Sequence, residues 1–248
     1  MRMAVRARAL VLGAAVVVPG AAWAQTVDDI VARHVAARGG AEKLEAIRTL
    51  KITRTVATAF SDIKVVIYRK RPALFRAEQQ STAPGAPLTV RVINQDGAWD
   101  PGPGGKIVAR EDRLAAETRD LDADFDGLLV NWSAKGHTVT FEGREQVGGR
   151  EALKLQVRLR SGLIRTVYLD AETYLDRRHS GVLNLPGGRQ FDVTIDFDNW
   201  REVEGVKFPF DVTEERTGKE PVQSFVIYTE RIEANVPIDD GLFAAPKG

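Results

Sequence analysis

The stretch Arg189–Glu215, RQFDVTIDFDNWREVEGVKFPFDVTEE, decides the fold. Phe191, Val193, Ile195 and Phe197 alternate with Asp192, Thr194, Asp196 and Asp198. Successive side chains on a strand point to opposite faces, so the segment has one apolar and one acidic face. Glu204-Gly205 supplies a turn, and Val206, Phe208, Phe210 and Val212 resume the alternation on a return strand. No nucleophile, metal cluster or phosphate loop lies here. The stretch reads as part of a long curved sheet that is apolar on one side, and what covers that side is the functional question.

Working outward, strand-like runs follow one another. Upstream they are Leu50–Phe60, Asp62–Arg69, Leu74–Gln80 and Leu88–Asn94, with Asp96-Gly97 turning into Ala98-Trp99. Pro101–Gly105 (PGPGG) is a loop. Later runs are His137–Val147, Arg150–Arg160, Leu163–Asp170, Tyr174–Leu183 and Val222–Ala234. Thr26 can cap a first helix with Asp28 and Asp29 in its first turn, and Gly39-Gly40 stops it. Ala41–Ile47 is a short second helix and Arg110–Asp122 a third. Asn235–Phe243 reads as an irregular cap anchored by its last two apolar residues.

About ten antiparallel strands joined by short turns make a mainly β, α+β meander in one domain, residues 25–248. Leu153, Leu155, Val157 and Leu159 extend its apolar face. Thin helices cover such a sheet poorly, which leaves three solutions: a half-barrel curled over the helices, a sandwich, or a closed barrel. A curled sheet encloses a cavity, and aliphatic walls keep it dry or fill it with something apolar.

Residues 1–24 read as a cleavable signal peptide. Arg2, Arg6 and Arg8 form a basic start, Ala9–Val18 is an apolar run too short to span a bilayer, and Ala22-Trp23-Ala24 offers a cleavage site. Export to the periplasm is expected. The chain has no Cys, which excludes disulfides, thiol chemistry, Cys-based zinc sites and a lipid anchor. Without the signal arginines, 32 basic residues face 34 acidic ones, a formal net charge of −2, so nucleic acid is not an expected partner.

Catalytic and metal patterns do not assemble. His34 reads as a packed helix residue, His137 as a turn residue and His179 as solvated, and no two share metal-ligand spacing. Asp120, Asp122, Asp124 and Asp126 (DLDADFDG) do not follow the order of an EF-hand loop and read as an acidic turn, with Phe125 and Leu128-Leu129 as buried anchors. No GxSxG occurs, and Gly102, Gly104 and Gly105 do not join a strand to a helix. Neither an enzyme nor a cofactor is expected.

Five pieces, in order, resemble the outer-membrane lipoprotein-sorting proteins, the LolA-like family. They are HVAARGGAEKLEAIRTLK (34–51), DFDGLLVNWSAKGHTVTFEGREQVGGREALKLQV (124–157), YLDAETYL (168–175), DFDNWREVEGVKFPF (196–210) and NVPIDDGLF (235–243). The resemblance implies an incomplete antiparallel barrel with helices as plug or lid over a hydrophobic cavity. It implies a monomeric periplasmic carrier or chaperone that shelters acyl chains of a lipoprotein or another lipid, with inner- and outer-membrane transport partners. The same fold in an envelope-stress regulator offers an alternative: a sensor or interaction module that does not shuttle cargo. On the half-barrel reading the cavity candidates are Ile63, Val65, Ile67, Trp99, Phe125, Leu129, Trp132, Leu155, Val157, Phe191, Val193, Ile195, Phe197, Phe208 and Phe210. Arg54 and Arg76, on early strands, are candidates for the family's lid-latching arginine.

Overall fold

Strict alternation and short turns produce hairpin after hairpin in the computed structural model, which describes residues 25–102 and 107–245. Residues 1–24, read from the sequence as a signal peptide, lie outside the described residues. The strands are β1 (Thr49–Ala57), β2 (Asp62–Lys70), β3 (Leu74–Ser81), β4 (Leu88–Ile93), β5 (Ala98–Pro101), β6 (Ile107–Ala109), β7 (Thr138–Val147), β8 (Arg150–Arg158), β9 (Ile164–Asp170), β10 (Asp176–Leu185), β11 (Arg189–Val203), β12 (Val206–Thr217) and β13 (Gln223–Ala234). The helices are α1 (Val27–Arg38), α2 (Ala41–Ala46) and α3 (Asp112–Leu121).

All thirteen strands belong to one antiparallel sheet, ordered β6-β5-β4-β3-β2-β1-β13-β12-β11-β10-β9-β8-β7. Two meanders, β1–β6 and β7–β13, meet at the β1–β13 pair, whose register runs from Leu50–Ala234 to Ala57–Val226. The outermost strands, β6 and β7, do not pair with each other, so the sheet is not closed. The fold is thus mainly β and an incomplete barrel, as the sequence led us to expect.

Topology explains what fills the trough. Laid flat, thirteen strands would span roughly 58 Å, whereas the 12 residues of α1 reach about 18 Å. The sheet must therefore curl around its few helices. The chain from β6 to β7 must also pass from one edge of the sheet to the other, and it does so through α3 and residues 122–137. One apolar core joins Leu44 and Ile47 to Leu50, Ile52, Val65, Ile67, Phe75 and Phe210. A second joins Ile30, Val31 and Leu129 to Leu153, Leu155, Val157 and Val167. Val35 of α1 packs against both.

Two expectations shift. β1 ends at Ala57, and Phe60 sits 99 % exposed in the turn that follows instead of in a strand. β6 was not expected, because three residues with an exposed Val108 carry no alternation.

Candidate functional site

Helix α1 sets the first wall. The Thr26 hydroxyl accepts from the Asp29 N–H at 3.1 Å, and the Asp29 carboxylate answers in a capping box. His34 and Arg38, four residues apart, share one face and are both buried. Arg38 donates Nε to the Lys207 carbonyl at 3.0 Å and Nη1 to the Asp126 carbonyl at 3.3 Å. Its guanidinium lies 5.8 Å from the Trp200 ring centre and 5.9 Å from that of Phe208.

His34 Nδ1 lies 2.9 Å from the Tyr174 carbonyl, which can only accept, so that nitrogen carries the proton. Nε2 then faces Asp176, 3.8 Å away, and Asp176 bonds His179 Nε2 at 2.8 Å. His179, read from sequence as solvated, is therefore a trough residue with a side chain 17 % exposed. His179 lies at period two from Leu183, which lines the cavity, and the register shift between Asp176 and Arg178 lets Asp176 share its side.

Burial lowers the His34 pKa; Asp176 opposes this and Arg38 adds to it. Burial alone would raise Asp176, but His34, the His179 N–H and Arg38 hold it far below the carboxylate range. Both folded values are depressed, so both contributions are complete above the unfolded pKa and are lost as pH falls. For His34 the loss starts below about pH 6.5, and for Asp176 below about pH 4. Urea midpoints should accordingly fall from neutral pH toward pH 5.5, and His34→Gln should flatten that slope. An unchanged slope in the variant would refute the assignment.

The acidic run is an internal clamp. Asp120 accepts from the Ser161 N–H at 2.8 Å, Asp122 from Arg91 at 2.9 Å and Asp124 from Lys135 at 2.5 Å. Asp126 is held by both terminal nitrogens of Arg71, at 2.7 and 2.5 Å. Arg71 also donates to the carbonyls of Ile47 and Leu44, each at 2.8 Å, and stacks 4.4 Å from the Phe125 ring centre. It thereby ties α2, the acidic segment and the end of β2 together. Among the described residues no group of acids and histidines could hold a metal ion.

Between the two cores lies a cavity of about 480 Å³. Its apolar wall includes Val193, Ile195, Phe197, Phe208, Val212 and Ile227. Its polar lining is extensive: Arg38, Arg54, Arg69, Arg91, Arg110, Arg165 and Arg216 face Glu117, Asp122, Asp124, Asp126, Asp176 and Glu214. The expected dry aliphatic interior is thus corrected to an amphipathic one. The reason lies in the pleat, because Arg54 continues the inward face of Leu50 and Ile52, and Arg69 that of Val65 and Ile67.

The sequence candidates fall into three groups. Phe125, Val193, Ile195, Phe197, Phe208 and Arg54 line the cavity. Val65, Ile67 and Phe210 lie in the first core with Ile63 against it; Leu129, Leu155 and Val157 lie in the second with Trp132 against it. Phe191 is buried, Trp99 is half-buried, and neither borders the cavity. Arg76 binds Glu78 at 2.8 Å and the Leu242 carbonyl at 3.1 Å, which holds the C-terminal turn. Sequence reasoning passed over Arg38, Arg71, Arg165 and Asp176, and took Trp200 for core or rim packing. Trp200 turns inward because Asn199, at φ +53°, breaks the alternation.

An open antiparallel half-barrel with helices in its trough, enclosing an amphipathic cavity, is the class this geometry defines. The architecture is LolA-like. A protein domain from Vibrio parahaemolyticus described as outer-membrane lipoprotein-sorting superposes with a TM-score of 0.57 at 11 % identity, over 88 % of this chain and 97 % of that one. A LolA superfamily protein from Nitrosomonas europaea gives 0.56 at 13 % identity, over 90 % and 99 %. A DUF1329 family protein from Desulfovibrio piger gives 0.58 at 13 % identity, over 88 % and 97 %. No family model matches the sequence, and no curated protein matches it. At these identities the likeness establishes the fold.

Proposed function

We propose that this chain is a periplasmic lipid- or lipoprotein-binding carrier or chaperone that shelters an acyl chain in its half-barrel cavity during outer-membrane lipoprotein sorting. The observation that carries the reading is the 480 Å³ cavity, walled on one side by β11 and β12 side chains and roofed by α1. Its volume falls within the range of about 300–1,000 Å³ that buries a small ligand. Each CH₂ taken from water contributes about 0.8 kcal/mol before ordering costs. The lipoprotein-sorting name of the Vibrio neighbour and the signal-like start of the chain support the same role. No described helix is long and apolar enough to cross a membrane. Binding is favoured over catalysis because most charged groups of the cavity are committed to ion pairs or carbonyls.

One observation favours a second reading, a sensor or interaction module. Much of the concave sheet is filled by the protein's own two cores. Native purification, solvent extraction and mass spectrometry separate the two, together with titration of an apolar fluorescent probe. A carrier should yield bound lipid or take up the probe; neither result would sink it. Ile195→Asp puts a carboxylate on the cavity wall opposite Glu214 and should weaken probe binding roughly tenfold or more. Asp196→Ala, which removes an outer-face pair with Arg178, should change binding little.

A further inference from the structure

The cavity holds one more arginine than carboxylates, and the surplus has an address. Arg91 and Arg110 share Asp100, and Arg216 binds Glu214. Arg38, Arg69 and Arg165 donate to main-chain carbonyls. Arg54 alone among the seven makes no hydrogen bond or ion pair to any described residue, and its Nε is enclosed without a partner. The register shift between Thr53 and Arg54 sets it opposite Thr229 on β13. Thr229 is 6 % exposed, and its hydroxyl is also unsatisfied. Burial, aided by the like charge of Arg69, pushes the Arg54 pKa down to about 10, which still leaves it a cation at neutral pH. An enclosed cation that lines the cavity without a partner is unfavourable until an anion satisfies it. Beyond them stands the apolar wall of Val193, Ile195, Phe197, Val212 and Ile227.

Resting on the lipid-cavity reading above, we propose that the ligand is a single-chain amphiphile with an anionic head, a carboxylate or phosphate. Arg54 holds the head, and the β11–β13 wall takes the chain. The volume suits one chain rather than a bulky multi-chain lipid.

The test competes dodecanoate, dodecanol and inorganic phosphate against an apolar fluorescent probe on delipidated protein at neutral pH. Dodecanoate should bind roughly tenfold or more tighter than dodecanol, since the two differ in one charge-assisted contact. Phosphate alone should leave the probe in place. Arg54→Met should abolish the preference for the acid while retaining dodecanol binding. Arg54→Lys should keep part of the preference. If Arg54→Met fails to fold, the wild-type ratio and Arg54→Lys decide. Equal affinities for acid and alcohol in the wild type, or a preference that survives Arg54→Met, would overturn the head-group site and leave the cavity reading standing. Displacement by phosphate alone would mark a free-anion site and overturn the amphiphile. If neither chain binds, both readings fall.

Discussion

Arg71→Ala is expected to cost about 3 kcal/mol of stability, and up to about 5, because it breaks a largely buried ion pair by removing one partner. Asp126 would be left 8 % exposed without its ion-pair partner, and the Leu44 and Ile47 carbonyls would lose their donor. Arg71 keeps 19 % of its side chain in solvent, which places the expectation toward the lower figure. For a chain of this size the thermal midpoint should drop by roughly 10 °C. The double variant Arg71→Ala/Asp126→Ala should recover part of the loss, since no unpaired charge remains. Strict additivity of the two single effects would show that the pair is not coupled. Arg71 links α2 and the acidic segment to the sheet, so its loss should also loosen the cavity roof and quicken uptake of an apolar probe.

That latch could not be named from the sequence, and the reason is distance along the chain. Arg71 and Asp126 are 55 residues apart, and Arg91 and Asp122 are 31 apart. Alternation reports only which face a residue shares with its neighbours two positions away. It predicted twelve of the thirteen strands, because each hairpin carries its own turn signal. The β1–β13 pair, the strand pairing that joins the two meanders among the described residues, has no connecting turn and left no local mark.

The charged lining was legible in part. Arg54 follows Leu50 and Ile52 at period two, and Glu214 and Arg216 follow Val212 in the same way. Reading charge as solvent exposure ended each apolar face one residue early. A sheet that curls around a cavity can point charge inward wherever another strand or the crossing segment supplies its opposite, as Asp100 does for Arg91 and Arg110. The inward turn of Trp200 was hidden for a different reason: a single left-handed residue, Asn199, breaks the alternation just before it.

Gly39→Ala should be the most damaging single-methyl change in the described chain, with a loss of about 4 kcal/mol or more. Gly39 closes α1, its N–H bonding the Ala36 carbonyl at 3.1 Å, and it does so at φ +125°. A side chain at positive φ costs about 1–2 kcal/mol by itself. The rest comes from the β11–β12 turn, which presses directly on the helix end. A Cβ at Gly39 would overlap the Gly205 carbonyl oxygen and stand 3.2 Å from the Val206 Cα. Both neighbours are backbone, so no rotamer change relieves the contact, and either α1 or the hairpin must move. Gly40→Ala supplies the control. Gly40 also has positive φ, +93°, yet a Cβ there meets nothing within 4 Å, so only the conformational cost of about 1–2 kcal/mol should appear. Urea denaturation of the two variants thus isolates the clash, and equal losses would mean that α1 is not seated against the hairpin. The same seating aligns Arg38 with Trp200 and Phe208 over the cavity. Gly39→Ala should therefore weaken apolar-probe binding as well as stability, whereas Gly40→Ala should spare binding.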